Sequence, residues 1–310
     1  MRIFLVAVLS YCIAFVTPAG AQGLDLLGGR GYLGNGRLFT NDYLGDGEDR
    51  WRTGSYAMSF MFGPDGTLDL PQKPGDLVEL RYSGRLLAPA NLRHAAPGDR
   101  RYAGIATLGL YTHWALENAE FSLGAEAVVS GPISGVPWIQ MTLHDLIGIA
   151  GPSHETQANQ IPNGLRGAVN GEVAYRFNLP NGMVLRPYME ARTGDVTLAR
   201  VGADLFFGNN FSRGVLARDY STGQLYQTLP ELPPPGMSFV VGADTAKVFS
   251  SAWLPEPGYT LTPFWNRARA GMFWQGNVVG VFYGATWTGP EFTAQPEGQV
   301  LGSVTVQLSF

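Results

Sequence analysis

Residues 40 to 54, TNDYLGDGEDRWRTG, gather Asp42, Asp46, Glu48 and Asp49, and Arg50 and Arg52 follow directly. The whole chain has 25 acidic residues in 310, so this density is local. Carboxylates this close together either hold a hard cation or a substrate, or they stand apart in solvent. Asn41 and Asp42 close a run of strand-like residues, so a sheet can fix them, whereas Asp46, Glu48 and Asp49 read as solvated. A second charged stretch, NLRHAAPGDRR at 91–101, offers Arg93, Arg100 and Arg101 around His94. Such a loop can grip phosphate oxygens or simply lie in water.

Other reactive constellations are missing from the sequence. It contains no G-x-S-x-G turn, no H-E-x-x-H and no phosphate loop. SGPISG at 130–135 reads as a loop. Cys12 is the only cysteine and lies near the N-terminus, which excludes a thiolate nucleophile and cysteine-ligated zinc from the rest. Of the four histidines, His113 ends a strand and reads as a satisfied interfacial residue. His144 falls on a predicted short helix, next to Asp145 in sequence but not on its face. His94 and His154 lie in loops.

The elements that must position these groups come from a two-residue rhythm. Val304, Val306, Leu308 and Phe310 oppose Ser303, Thr305, Gln307 and Ser309. The same alternation recurs at 55–62, 77–86, 117–127, 168–178 and 183–192. Segments of about ten alternating residues between turn signals mark a transmembrane barrel. In hydrocarbon every backbone polar group must be paired, so the sheet closes, with apolar side chains outward and polar ones inward. The fold class is therefore all-β, an antiparallel outer-membrane barrel of about 12 strands, with a short amphipathic helix in the long 129–166 loop. The inner faces repeat Glu and Arg, which predicts charge pairs across a plugged lumen rather than an open channel. A terminal aromatic residue resembles the signal read by the barrel insertion machinery.

The ends and the composition agree. MRIFLVAVLSYCIAFVTPAGAQ reads as a secretory signal over residues 1–21 with an Ala-Gly-Ala cleavage site, leaving 22–310 as the barrel domain. Beyond it no apolar run is long enough for a spanning helix. A net charge of −4 and the lack of a basic run argue against nucleic acid. The long connections 40–52, 89–101 and 129–166 fall at one end of the barrel, but strand parity puts 208–236 at the other. That conflict predicts a missed strand between 183 and 236.

Four stretches in order resemble the outer-membrane lipid A 3′-O-deacylases. They are NDYLGDGEDRWRTG, DRRYAG at 99–104, IGIAGPSHETQANQ with GLRGAVNGE at 164–172, and GPEFTAQPEGQVLGSVTVQLSF. The resemblance implies a twelve-stranded barrel that hydrolyses the ester carrying the 3′-linked acyl chain of lipid A, with calcium as cofactor and a site at the outer rim. It makes Asn41, Asp42, Thr53 and Gln157 active-site positions, with Asn41 and Asp42 contacting the calcium, and Glu172 a supporting residue. Lipopolysaccharide and outer-membrane lipid are the implied partners, with Arg93, Arg100 and Arg101 toward lipid phosphates. Ester hydrolysis needs a positioned water, a base, and positive charge for the developing oxyanion.

The chain departs from the pattern at one chemical position. Four residues after Gln157, where the family has its histidine base, stands Ile161. Leu165 and Ala168 replace a family Trp and Gln. His154 is the nearest substitute base in that loop. The alternative expectation is a catalytically inactive barrel that binds lipopolysaccharide or has a structural role.

Overall fold

The computed structural model describes residues 29–148, 150–208, 211–212, 214–229 and 235–308. The expected signal segment with Cys12, and Phe310, lie outside these residues. The strands in chain order are β1 (Gly31–Asn41), β2 (Trp51–Gly63), β3 (Leu77–Ala88), β4 (Ala103–Leu116), β5 (Ala119–Ser130) and β6 (Gly164–Tyr175). There follow β7 (Phe177–Asn178), β8 (Val184–Thr193), β9 (Val196–Phe207), β10 (Val215–Arg218) and β11 (Leu225–Leu229). The last four are β12 (Gly236–Ser251), β13 (Trp265–Gln275), β14 (Val279–Thr288) and β15 (Gln299–Leu308).

Twelve of them close an antiparallel barrel. The order runs β6-β5-β4-β3-β2-β1-β15-β14-β13-β12-β9-β8, and β8 returns to β6 through pairs such as Val173↔Met189. β7 is a two-residue continuation that pairs with the start of β8. Closure leaves no edge strand in the hydrocarbon.

Among the described residues no barrel-wall strand is missed between 183 and 236; the two strands that the sequence reading did not find there, β10 and β11, pair only with each other. Thr193 and Val196 end and begin adjacent strands across a tight turn, so 208–235 does lie at the short-turn end with the N-terminus. Instead of extending outward, it folds into the lumen as the β10–β11 hairpin, paired through Ala217↔Tyr226. Every residue of β11 is buried. The hairpin lies against β1, where a Cβ at Gly36 would stand 2.1 Å from the Gln227 carbonyl oxygen. Only glycine permits that approach.

The lumen is filled in layers. Phe206, Phe211, Phe273 and Phe282 pack around the hairpin toward the short-turn end. Above them lies an ionic layer. Arg218 of β10 donates to Glu172 at 2.7 Å and to Asp204 at 3.0 Å, and Arg186 joins Glu120 to Glu172 at 2.7 and 2.9 Å. The expected charge pairing and plug are both present. His113 belongs to this interior, with Nε2 2.6 Å from a Glu79 oxygen, and not to the membrane interface. Toward the loop end an apolar cap follows, with Leu87, Ile105, Val128, Ile161, Ala168, Trp253, Trp265 and Phe292.

The outer face is apolar and ends in aromatics. Trp114 stacks on Phe121 at 5.1 Å and Tyr175 meets Phe177 at 4.6 Å at the short-turn end, while Phe249, Phe264 and Trp287 are exposed toward the loop end. Such belts sit at membrane–water interfaces.

The long loop carries helix α1 (Val136–Ile147) and a short helix α2 (His154–Ala158). α1 is fastened to the outside of the wall. On β4, Leu108 and Leu110 face lipid, and Gly104 shares their side by the strand's alternation. A Cβ there would stand 2.3 Å from Pro137 Cδ, so the helix rests directly on the strand. Val136 joins Leu86, Ala88, Leu92 and Tyr102 in a small apolar cluster on the same side. Trp138 and Leu146 remain 65% and 71% exposed, the free apolar side of an interfacial helix.

Candidate active site

The site grows from the loop-end turn of β1. Asn41 has extended backbone and caps a single 3-10 turn, Asp42–Leu44, by accepting the Tyr43 N–H at 2.9 Å. Its amide nitrogen donates to the Thr53 carbonyl at 2.8 Å, tying β1 to β2. The turn is strapped to β14 and β15: Tyr283 of β14 donates to the Leu44 carbonyl at 2.8 Å, and the Val300 N–H of β15 donates to Asp46 Oδ2 at 2.9 Å. Asp46 is therefore an anchor for the loop, not a free acid.

Asp42 is 1% exposed. Its carboxylate accepts the Tyr43 N–H at 2.9 Å and the Arg50 N–H at 3.0 Å. Burial, and secondarily the neighbouring Asp49, pushes this carboxyl up to about 9. Burial also raises Asp49, against the pull of His144. Two acids are thus held close where water cannot fully solvate them.

β2 begins with an irregular backbone. Trp51 is buried with φ 50°, a region that bulky residues seldom occupy, and Arg50 stacks its guanidinium on the Trp51 ring at 4.5 Å. The β2–β3 register slips between Arg52 and Gly54, which makes Thr53 the extra residue of a bulge. Bulges re-aim side chains, and the Thr53 hydroxyl is buried with no hydrogen-bond partner.

α1 completes the cluster from the lipid side. His144 Nε2 stands 3.7 Å from Asp49 Oδ2. Gln140, one turn earlier, accepts the Tyr102 hydroxyl at 2.6 Å. The site therefore lies at the outer rim, at the loop end of the barrel wall, with α1 alongside it.

The family model described as "Outer membrane protein LpxR" matches residues 7–310. This chain belongs to the LpxR family. Among solved structures, LpxR from Salmonella typhimurium is similar, with a TM-score of 0.71 and 18% identity over 89% of this chain and 99% of that one. The β domain of the Bordetella autotransporter BrkA matches with a TM-score of 0.45 and 11% identity over 89% and 99% of the two chains. Comparison with curated proteins returns no match. An LpxR-family barrel is an outer-membrane protein, and the girdled, closed sheet described above agrees with that location.

The family-derived positions divide into three places. Asn41, Asp42 and Thr53 form one cluster at the rim. Gln157 and His154 are elsewhere, in an outward cleft of about 350 Å³ shared with Arg93, Met141 and Asp145. Gln157 donates to the Pro152 carbonyl at 2.9 Å, and His154 is exposed. Glu172 is deep in the lumen, clamped by Arg186 and Arg218, and supports the plug.

The three arginines also separate. Arg93 is exposed. Arg101 holds the end of α2, donating to the Asn159 and Gln160 carbonyls at 2.6 and 2.9 Å. Arg100 is buried against Glu291 at 2.9 Å.

Sequence reasoning gave His144, Tyr102 and Trp51 no role in the site. One signal was available for His144: it follows Gln140 by four residues on the predicted helix, so both polar groups share one face.

Proposed function

We propose that this protein removes the 3′-linked acyl chain of lipid A by ester hydrolysis at the outer leaflet, with calcium as cofactor. One observation carries this reading beyond family membership. The buried carboxylate of Asp42 and the unpartnered hydroxyl of Thr53 lie at the outer rim, beside an interfacial helix fixed to the lipid-facing wall. A glycolipid in the outer leaflet can reach such a site without leaving the membrane.

The residues fit a hard cation. The Asp42 oxygens keep lone pairs after their two backbone bonds, and a second acid that raises the Asp42 carboxyl is a repulsion that positive charge would relieve. Asp42 and the Asn41 carbonyl would hold calcium, with water or substrate oxygens completing its shell. Bound there, calcium supplies positive charge for the acyl carbonyl oxygen. Asn41 keeps β1 and β2 in register at the site through its bond to Thr53. Arg93 is placed to meet lipid phosphates, whereas Arg100 is committed to Glu291.

Ile161 favours a second reading. Its side chain is buried in the apolar cap of the lumen and supplies no proton acceptor, which suits an inactive barrel that binds lipopolysaccharide. Expression in a host with intact lipid A separates the two. Loss of mass equal to an acyl or acyloxyacyl chain, dependent on calcium and abolished by Asp42→Ala, supports hydrolysis. Unchanged lipid A beside a folded, heat-modifiable barrel supports the binding role.

A further inference from the structure

The lipid-facing wall is not uniform between β5 and β12. Lys247 of β12 pairs with Ala199, Ala199 with Ala191, Ala191 with Gly171, and Gly171 with Leu123 of β5, so one row of outward positions crosses five strands. Its middle carries only alanine and glycine. The next outward row toward the short-turn end carries Val201, Met189 and Val173 in the same register. Small side chains beside bulky ones leave a groove of about 580 Å³ on the outside of the barrel. Gly171 is not required by its backbone, since its φ is not positive. A Cβ there would touch only Leu123 Cδ1 at 3.7 Å and the Ser122 carbonyl oxygen at 3.9 Å. What the missing side chain leaves is room.

The groove is oblique and its ends differ. Lys247 lies near the loop end of β12, whereas Leu123 lies near the short-turn end of β5. Four strand spacings of about 4.8 Å give it a length of about 19 Å, the reach of an extended acyl chain. Among the outward positions of β5, β6, β8, β9 and β12, Lys247 is the one charged residue. Its ammonium stands 5.5 Å from the centre of the Phe264 ring, and no carboxylate of the described residues pairs with it. Thr193 and Thr197, beside the turn that joins β8 to β9, add two hydroxyls 3.5 Å apart on the loop-end bank. A lysine on this face turns its ammonium up to the headgroups, while the groove runs down from it into hydrocarbon.

We propose that the groove is a second lipid site, which holds one acyl chain of a phosphorylated outer-leaflet glycolipid, the class to which lipid A belongs, with a phosphate of the same molecule on Lys247. Charge and level together select this occupant. A cation without a protein partner is complementary to an anion, and the loop end sets it among the headgroups of the outer leaflet. The two threonine hydroxyls can donate to phosphate or sugar oxygens. β9 stands half-way round the twelve-strand ring from β2, so this molecule is not the one that meets the rim site. The outward positions around it carry no carboxylate and no imidazole, so it is held there and not hydrolysed. The site therefore does not depend on the deacylase reading.

The test uses the full mature chain in detergent, with Asp42→Ala in every sample so that no lipid is consumed, and counts retained lipid A by native mass spectrometry. Lys247→Gln is expected to weaken retention of one lipid A about tenfold. Ala191→Leu with Ala199→Leu fills the groove and should abolish binding of that molecule. Ala270→Leu with Ala285→Leu adds the same bulk to the outer face of β13 and β14 and should change nothing. Heat-modified mobility confirms that each variant is folded. Lipid A retained equally by all variants overturns the site, and so does equal retention of lipid A stripped of its phosphates. Phosphatidylglycerol held as tightly as lipid A would make the occupant a phospholipid. A pair of barrels that the groove-filling variant separates would make it a second copy of this chain. Either result overturns the assignment. Because no sample hydrolyses lipid, each outcome stands whether or not the wild-type barrel is a deacylase.

Discussion

Asp42 Oδ2 accepts the backbone N–H of Arg50 at 3.0 Å, so the start and the end of the acidic loop are joined through one buried carboxylate. The loop is therefore a closed ring pinned to β15 on one side and to β2 on the other. Its charge is stored in a place that resists ionisation.

That resistance has a sign. The Asp42 carboxyl, raised to about 9, holds its proton more tightly in the folded barrel than in the unfolded chain. In chelator, its contribution to stability is fully present below the ordinary carboxylate range and is lost as pH rises toward about 9, by at most about 1.4 kcal/mol per pH unit. Heat-modification midpoints measured across that window are expected to fall for wild type and to stay flatter for Asp42→Asn. Equal slopes in both proteins reject this account. Calcium, if bound, displaces the proton, so its affinity should rise with pH.

Arg218 fastens the lumen hairpin to two carboxylates. Arg218→Met leaves Glu172 and Asp204 with less compensation in the interior and is expected to cost about 3–5 kcal/mol. The hairpin should become open to proteolysis from the short-turn end, while the barrel keeps its strand content by circular dichroism.

Gly36→Val drives side-chain atoms into the Gln227 carbonyl and should unseat the same hairpin by a different route. Single-channel recording in a planar bilayer is expected to show a closed wild-type barrel and a conducting variant. A silent variant of unchanged stability would mean that β1 and the hairpin can separate without opening a path.

Trp138 and Leu146 point away from the barrel. Trp138→Ser with Leu146→Ser should leave the melting midpoint unchanged and slow hydrolysis of lipid A in vesicles more than in detergent micelles. A uniform loss in both settings would assign these side chains to packing instead.

By the resemblance read from the sequence, Ile161→His would supply a histidine at the expected position, but it places an imidazole in an apolar cap. An unsatisfied buried polar group costs about 1–3 kcal/mol, so the variant should be less stable and no more active. A gain in kcat would show that position 161 can place a base against the substrate.

The barrel was legible because lipid imposes a period of two on every wall strand, and runs such as 303–310 carry it openly. The β10–β11 hairpin was hidden for the same reason reversed. Buried on all sides, Leu225–Leu229 has no solvent or lipid face to alternate against. Strand parity nevertheless placed its loop correctly, and the doubt about a missing strand came from assuming that long loops stay outside. Within the candidate site, Asn41, Asp42 and Thr53 were singled out through their motif, and the fold brings them together at the rim. The Asp49–His144 contact joins residues far apart in sequence on a loop and a helix, and no local pattern encodes that meeting. Asp46 is exposed as expected, but it also accepts a backbone N–H of the last strand, a partner that sequence spacing does not mark.

Fixing α1 to the outside of the wall changes what the cylinder is for. Its bore is packed shut, so nothing has to travel through it. The sheet serves as a mooring post driven through the bilayer, and traffic arrives sideways, within the plane of the leaflet. A headgroup gliding past would meet the rim with its tails still dissolved among their neighbours, and a severed tail could drift off by the way it came.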